Sequence, residues 1–302
     1  MQTPFIAWHP IYKLSLPEGH RFPMMKYELL YKQLLYLGIV AESDFFTPEP
    51  IDIHELESIH NPDYINRLIH FELTKQEVRR IGLPYTKELL ERELRIVQGT
   101  VTAANQAFST GIGFNIAGGT HHAGSYWGEG FCLLNDQAVA ASFLQNKLGV
   151  RKILIIDLDV HQGNGTAEIL KDKTSIFTFS MHGQHNFPFR KEISDWDIGL
   201  QDATEGDAYL KLLESSLKEL KHFGAEFVFY QAGADVLRSD KLGKMALTLD
   251  DCRLRDRLVF EFCHQQNIPI QVSMGGGYSP QIADIVAVHA QTFKEGIEML
   301  LR

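Results

Sequence analysis

Residues 153–165 read Ile-Leu-Ile-Ile-Asp-Leu-Asp-Val-His-Gln-Gly-Asn-Gly, an apolar run that passes without a break into alternating acidic and imidazole side chains. An unbroken apolar strand is the mark of a sheet covered on both faces, which is how parallel sheets are built. Side chains two apart in a strand share a face, so an extended reading points Asp157, Asp159 and His161 the same way, about 6.6 Å apart per pair. Asp157 and His161 are then about 13 Å apart, so one ion would take Asp159 and His161 while Asp157 supports them from behind.

The rest of the chain repeats the theme. Apolar runs at 113–117, 152–157, 175–180, 226–231 and 269–273 read as strands; amphipathic stretches at 26–37, 87–107, 136–147, 207–222, 250–266 and 280–301 read as helices. That alternation predicts a parallel sheet with helices on both faces. Each strand ends in a polar or glycine-rich turn, and in open α/β sheets ligands bind beyond the carboxyl ends of strands, so these turns are expected to meet in one crevice. Residues 40–55, with Pro48, Pro50 and several acids, read as a surface loop. The 302 residues suit one large α/β domain or two modest ones, and with no linker in view we take 1–302 as a single domain.

The net charge of −9 argues against a nucleic-acid surface and mildly favours a cationic or neutral substrate. No apolar run reaches the roughly 18 residues of a membrane span, and residues 1–10 lack the pattern of a signal peptide, so a cytoplasmic location is expected. The three cysteines, Cys132, Cys252 and Cys263, form no CxxC pair and read as buried thiols.

Three of the turns carry metal-ligand chemistry. Asp159 and His161 supply two ligands, and Asp235, beyond the strand ending at Gln231, is the best third. Three protein ligands leave one position open for water, whose pKa a divalent ion brings towards roughly 7. An aspartate after a strand can also cap the next helix, a reading that suits Asp159 beside His161 less well. His9, His54, His60, His70, His185, His222, His264 and His289 read as surface or core histidines. The tandem His121-His122 sits at another strand end, where two imidazoles can divide the work of base and acid. In Met274-Gly-Gly-Gly-Tyr278 the glycines permit close backbone approach, and the phenol could polarise a carbonyl; a helix-entry loop with a packing tyrosine is the plainer reading.

Together these residues resemble the zinc-dependent histone deacetylase superfamily, which includes acetylpolyamine amidohydrolases and acetoin-utilisation proteins. The matching motifs are His121-His122, Gly130-Phe131-Cys132 with Asn135-Asp136, Asp157-Leu-Asp159-Val-His161-Gln-Gly163-Asn164-Gly165, Ala232-Gly-Ala-Asp235 and Gly275-Gly276-Gly277-Tyr278, in family order. The resemblance implies the arginase/deacetylase fold, a three-layer α/β/α domain around a mostly parallel sheet of about eight strands. It implies zinc on Asp159, His161 and Asp235, with iron(II) able to substitute. It makes His122 the general base and acid, His121 its partner oriented by Asp157, and Tyr278 the donor to the oxyanion. It implies a tunnel formed by Gly130, Phe131, Phe187 and Gly276, suited to the methylenes of a lysine side chain. It also implies a structural potassium or sodium ion near Asp157, Asp159, His161, Ser180 and Met181, and an arginine, matched by Arg21, beneath the site. An arginase-type dinuclear centre would need further His and Asp ligands, so one metal is expected.

Relatives mostly carry aspartate where this chain has Asn164, and the Asn form resembles the class IV branch, as in a bacterial histone deacetylase-like amidohydrolase. The implied substrate is an acyl-lysine peptide or protein. A small cationic amide such as an acetylpolyamine is the alternative, though no long insertion lies between His20 and Leu90 to narrow the channel as in polyamine enzymes. An inactive acyl-lysine binding module is a third reading, disfavoured by the intact set of site residues. An amide stabilises imidazolium less than a carboxylate does, so His122 is expected to be a weaker base here. Asn164→Asp is therefore expected to raise the His122 pKa and move the acidic limb of the pH–rate profile upward; an unchanged limb would show that position 164 does not tune the base.

Overall fold

The computed structural model describes residues 3–301. Its eight strands are β1 Phe5–Ala7, β2 Phe45–Phe46, β3 Ile112–Asn115, β4 Ile153–Asp157, β5 Ile176–Gly183, β6 Trp196–Leu200, β7 Phe227–Gln231 and β8 Ile270–Ser273. They form one sheet in the order β2-β1-β3-β8-β7-β4-β5-β6, every pair parallel. The helices are α1 Lys26–Tyr36, α2 Ile53–Leu56, α3 Pro62–Ile69, α4 Lys75–Ile81, α5 Lys87–Thr110, α6 Asp136–Leu148, α7 Asn164–Leu170, α8 Gly206–Leu220, α9 Leu249–Gln266 and α10 Ile282–Leu300. α5 packs on α6 and along β1 and β3, while α1, α10, α9 and α8 pack in succession as a second set. The result is the three-layer α/β/α arrangement expected of the arginase/deacetylase fold.

The central strands are buried at every position, because helices cover both faces. β6, at the edge, alternates half-buried and exposed residues until Leu200, and its mixed composition hid it from a pattern search. The surface loop expected at 40–55 needs correction: Phe45–Phe46 pairs with β1 as the other edge strand, and Asp44 and Ile51 are buried. A two-residue strand is too short to show any periodicity.

A second correction concerns the opening motif. β4 stops at Asp157, and residues 158–163 turn rather than continue as strand. Asp157 Oδ1 accepts from Asp159 N at 3.1 Å, and Asp159 Oδ1 accepts from His161 N at 3.0 Å. These side-chain-to-backbone bonds two residues on are Asx-type turns, which aspartate favours over extended chain.

Register levels the strand ends. Asn115 pairs with Ser273, Ser273 with Gln231, Gln231 with Asp157, and Asp157 with Ser180. The turns that follow β3, β8, β7 and β4 therefore start side by side. A buried polar group braces them from below: Arg255 on α9 donates to the Gly233 carbonyl at 2.6 Å, and Asp256 accepts from Tyr230 at 2.5 Å and from Thr292 at 2.6 Å.

Gly113 in β3 lets α5 lie close, since a Cβ there would sit 2.2 Å from the Ala103 carbonyl oxygen. Backbone cannot yield as a side chain can. Gly113→Ala is expected to cost roughly 1–3 kcal/mol, read as a lower urea midpoint; an unchanged midpoint would mean that the α5–β3 spacing is not tight.

Candidate active site and metal centre

The turn after β3 is fixed by Asp136, at the start of α6. Its buried carboxylate accepts from Gly119 N, Thr120 N, Thr120 Oγ1 and Thr100 Oγ1, at 2.7–3.1 Å. This holds the chain so that His121 and His122 follow with ring centroids 4.1 Å apart. His121 Nδ1 lies 2.7 Å from Asp157 Oδ2. Burial alone would lower the His121 pKa, but the Asp157 and Asp159 carboxylates outweigh it and hold it at about 9. His122 Nδ1 lies 2.6 Å from Asn164 Oδ1. That oxygen only accepts, so Nδ1 carries the proton and Nε2 keeps its lone pair. Burial, followed by the neighbouring His121 and His161, pushes the His122 pKa well below 6.5, so the ring is neutral at physiological pH.

Asp159, His161 and Asp235 are buried and each offers a ligand atom, all within 4.8 Å of one another. His161 Nδ1 is 3.1 Å from both Asp159 Oδ1 and Asp235 Oδ2. The outer oxygens are tied to backbone: Asp159 Oδ2 to Gly276 N at 2.8 Å and Asp235 Oδ1 to Val160 N at 3.0 Å. Such outer bonds fix ligand direction. Burial and then the nearby Asp159 raise Asp235 to about 7, while the two carboxylates overcome burial and raise His161 to about 10. Two carboxylates and one imidazole in a buried site fit a divalent cation, and that mixed set does not select strictly between zinc and iron(II).

Tyr278 closes the opposite side, its ring 6.3 Å from that of His161. Its backbone N–H donates to Asp240 Oδ2 at 2.6 Å. Burial, with the carboxylates of Asp235 and Asp159, raises the phenol well above 10, so it stays protonated and able to donate. A cleft of about 510 Å³ leads to these groups and is lined by His122, Phe131, His161, Phe187 and Tyr278, with Arg21, Arg80, Glu129, His185 and Lys244 among those at its mouth. Phe187 meets His122 edge-on at 5.0 Å. Gly130 and Phe131 both have left-handed backbone, φ 56° and 71°; a Cβ on Gly130 would come within 2.7 Å of the His122 ring. A phenylalanine held there stores strain of order 1–3 kcal/mol, which its surroundings must offset.

Other expected site residues fall as follows. Gly276 clamps the carboxylates from behind: a Cβ would lie 1.9 Å from Asp235 Oδ2. It borders a small inner cavity of about 40 Å³ beside His122 rather than the mouth. Ser180 stands opposite Asp157 in the register, with Met181 buried beside it, and Ser180 Oγ is 2.9 Å from His182 Nδ1. Arg21 is not beneath the site. It is exposed at the mouth, its guanidinium 5.0 Å above the Phe131 ring. The buried cations there are Arg92, which borders the inner cavity, and Lys26, missed because a lysine opening an amphipathic helix reads as solvated; Lys26 Nζ donates to Gly275 O at 2.8 Å and lies 5.6 Å from the Tyr278 ring. Burial lowers it to about 8 despite Asp235 and Asp159 nearby. His185, read as an ordinary histidine, lines the mouth.

Fold and site thus define a three-layer α/β protein of the arginase/deacetylase type with a buried Asp-His-Asp group at the strand ends. The profile of the family described as the histone deacetylase domain matches residues 20–293, and the chain belongs to that family. It is 42% identical over 286 residues to an uncharacterized protein of Picosynechococcus, covering 94% of this chain and 95% of that one. It is 29% identical over 284 residues to histone deacetylase 2 of Arabidopsis thaliana (91% and 73%) and 28% identical over 301 residues to acetoin utilization protein AcuC of Bacillus subtilis (92% and 78%). Among solved structures, an HDAC homolog complexed with SAHA superposes with a TM-score of 0.84 at 24% identity, covering 99% of this chain and 88% of that one. The acetylpolyamine aminohydrolase from Burkholderia pseudomallei gives 0.82 at 18% identity, covering 98% and 99%. At these identities the two structures speak for the fold.

A cation entering the Asp-His-Asp group must displace protons, since His161 and, in part, Asp235 hold them near neutrality. Both pKa values are raised, so the metal-free site is the more protonated state, and affinity should strengthen as pH rises from about 6 to 8 with measurable proton release. Calorimetry with zinc in buffers of different ionisation heat checks this; an affinity independent of pH would contradict it, and Asp235→Ala should abolish binding.

Proposed function

We propose that the chain hydrolyses the amide bond of N-ε-acyl-lysine side chains in peptides or proteins, acting as a single metal-dependent deacetylase domain of the class IV type. The observation that carries the reading is one cleft ending on three things together: a buried Asp159-His161-Asp235 group, a His122 ring with a free Nε2 lone pair, and a Tyr278 hydroxyl with no hydrogen-bond partner among the described residues. Zinc is the ion we assign to that group, with potassium or sodium near Asp157 and Ser180.

When bound, the divalent ion supplies positive charge that polarises the amide carbonyl and acidifies water. His122 Nε2 takes a proton from water as it adds to the carbonyl carbon. Tyr278 donates to the carbonyl oxygen as that oxygen gains charge. His122 then returns the proton to the departing lysine nitrogen, so the products are a carboxylic acid and a free amine, which become carboxylate and ammonium once the acid's proton passes to the amine. His121, held protonated by Asp157, faces the site as a fixed positive charge. Phe131 and Phe187 line the methylene path and exclude water.

Two features narrow the substrate. The mouth carries Arg21, Arg80 and Lys244 against Glu129, which disfavours a polycation such as an acetylpolyamine despite the overall net charge of −9. The inner cavity, about 40 Å³, has room for a few atoms and suits a short acyl group; a fourteen-carbon chain would require side chains to move.

Zinc-loaded protein is expected to turn over acetyl-lysine peptides with higher kcat/KM than myristoyl-lysine peptides or acetylated polyamines. Tyr278→Phe should lower kcat by about 10²–10³-fold and His122→Ala by a similar or larger factor. Failure of the wild type to hydrolyse any amide in this panel would overturn the reading in favour of an acyl-lysine binding module.

A further inference from the structure

The amide of Asn164 has a choice of two orientations, and only one suits a base. With Oδ1 towards His122, Nδ1 of the ring must donate and Nε2 keeps its lone pair; with Nδ2 towards His122, the ring proton moves to Nε2 and the lone pair is lost from the cleft. A carboxylate at this position would present an oxygen either way. An asparagine needs something to hold its amide.

Glu129 stands where that hold must be. Asn164 Nδ2 donates to Glu129 Oε2 at 3.1 Å, on the side of the amide away from His122. A flipped amide would set Oδ1 against this carboxylate, oxygen facing oxygen. Glu129 is itself held in place: Arg80 Nε lies 2.9 Å from Oε1 and Arg80 Nη2 2.9 Å from Oε2, while the Arg80 guanidinium rests 5.1 Å over Trp127. The Glu129 backbone exchanges two 2.9 Å hydrogen bonds with Cys132. Gly130 N and Phe131 N bond to the carbonyls of Arg80 and Ile81, so the end of α4 and the loop of Glu129 are stitched together. The Glu129 side chain is 16% exposed, which leaves its bond to the amide sheltered.

We propose that Glu129 is a positioning residue, locking the Asn164 amide so that His122 presents its Nε2 lone pair to the substrate, and that Arg80 holds Glu129 in that role. The inference rests on the deacylase reading only for its kinetic arms, because the tautomer of His122 is observable without turnover.

The experiment combines steady-state kinetics with long-range ¹H–¹⁵N spectra of histidine-labelled protein. In the wild type, His122 should show a protonated Nδ1 and an unprotonated Nε2. Glu129→Ala should shift the ring towards the other tautomer and lower kcat by about 10- to 100-fold with KM little changed. Glu129→Gln keeps the shape, and an amide oxygen at the Oε2 position still accepts from both Arg80 Nη2 and Asn164 Nδ2, so the loss should be smaller than for Glu129→Ala and the His122 tautomer should be kept. Asn164→Asp alone should also lose activity, because it sets two carboxylates together. The double variant Glu129→Ala/Asn164→Asp should recover kcat to well above that of Glu129→Ala, since a carboxylate cannot be flipped into a donor. A merely structural Glu129 predicts no such recovery and no tautomer change. Either result overturns the inference while leaving the deacylase reading intact; a wild type without turnover sinks that reading and leaves the tautomer spectra to decide this one.

Discussion

Two buried carboxylates, Asp159 and Asp235, share a site within 4.8 Å of one imidazole and of each other. At that separation and an effective dielectric of about 20, two unit charges repel by on the order of 3 kcal/mol. The surroundings answer that repulsion with positive charge: a protonated His161 between them, His121 beside them and the Lys26 ammonium below. Backbone N–H groups of Val160 and Gly276 complete the shell. The glycines at 275 and 276 follow from the same crowding, since a Cβ on either meets Asp159 Oδ2 within about 3 Å. A metal ion held by the three side chains would satisfy both acids at once.

Much of the sheet was legible because its central strands are apolar throughout. β4, β7 and β8 were located to within a residue, and their polar turns marked where a crevice would lie. β1 and β2 escaped because strands of three and two residues show no periodicity, and β6 because an edge strand is mixed in composition. The row Asp157, Asp159, His161 was legible as a set of metal-binding types, but not as geometry: local side-chain-to-backbone bonds ended the strand at Asp157 and replaced a straight row with a turn.

What stayed hidden shares one cause. Lys26, Glu129 and Asp240 are charged residues in stretches that read as solvated helix or loop, and their roles arise from contacts 35 to 249 residues away in sequence or from turns that pattern alone does not describe. Arg21 erred in the opposite direction, its sequence position suggesting burial where the fold puts it at the mouth over Phe131. Charge placement across a crevice is a tertiary property: an acidic chain lines this cleft with Arg21, Arg80 and Lys244, the last two paired with Glu129 and Asp202.

The strand order carries a consequence for how the molecule comes into being. β8 is the last strand in chain order among the described residues, yet it lies in the interior of the sheet, between β3 and β7. Until residues 270–273 leave the ribosome, β2-β1-β3 and β7-β4-β5-β6 have no shared edge, and each exposes an unpaired apolar strand. The histidine pair belongs to the first half and the Asp-His-Asp group to the second. β8 is thus a four-residue keystone: within the sheet it alone joins the half that leads to His121 and His122 to the half that leads to Asp159, His161 and Asp235.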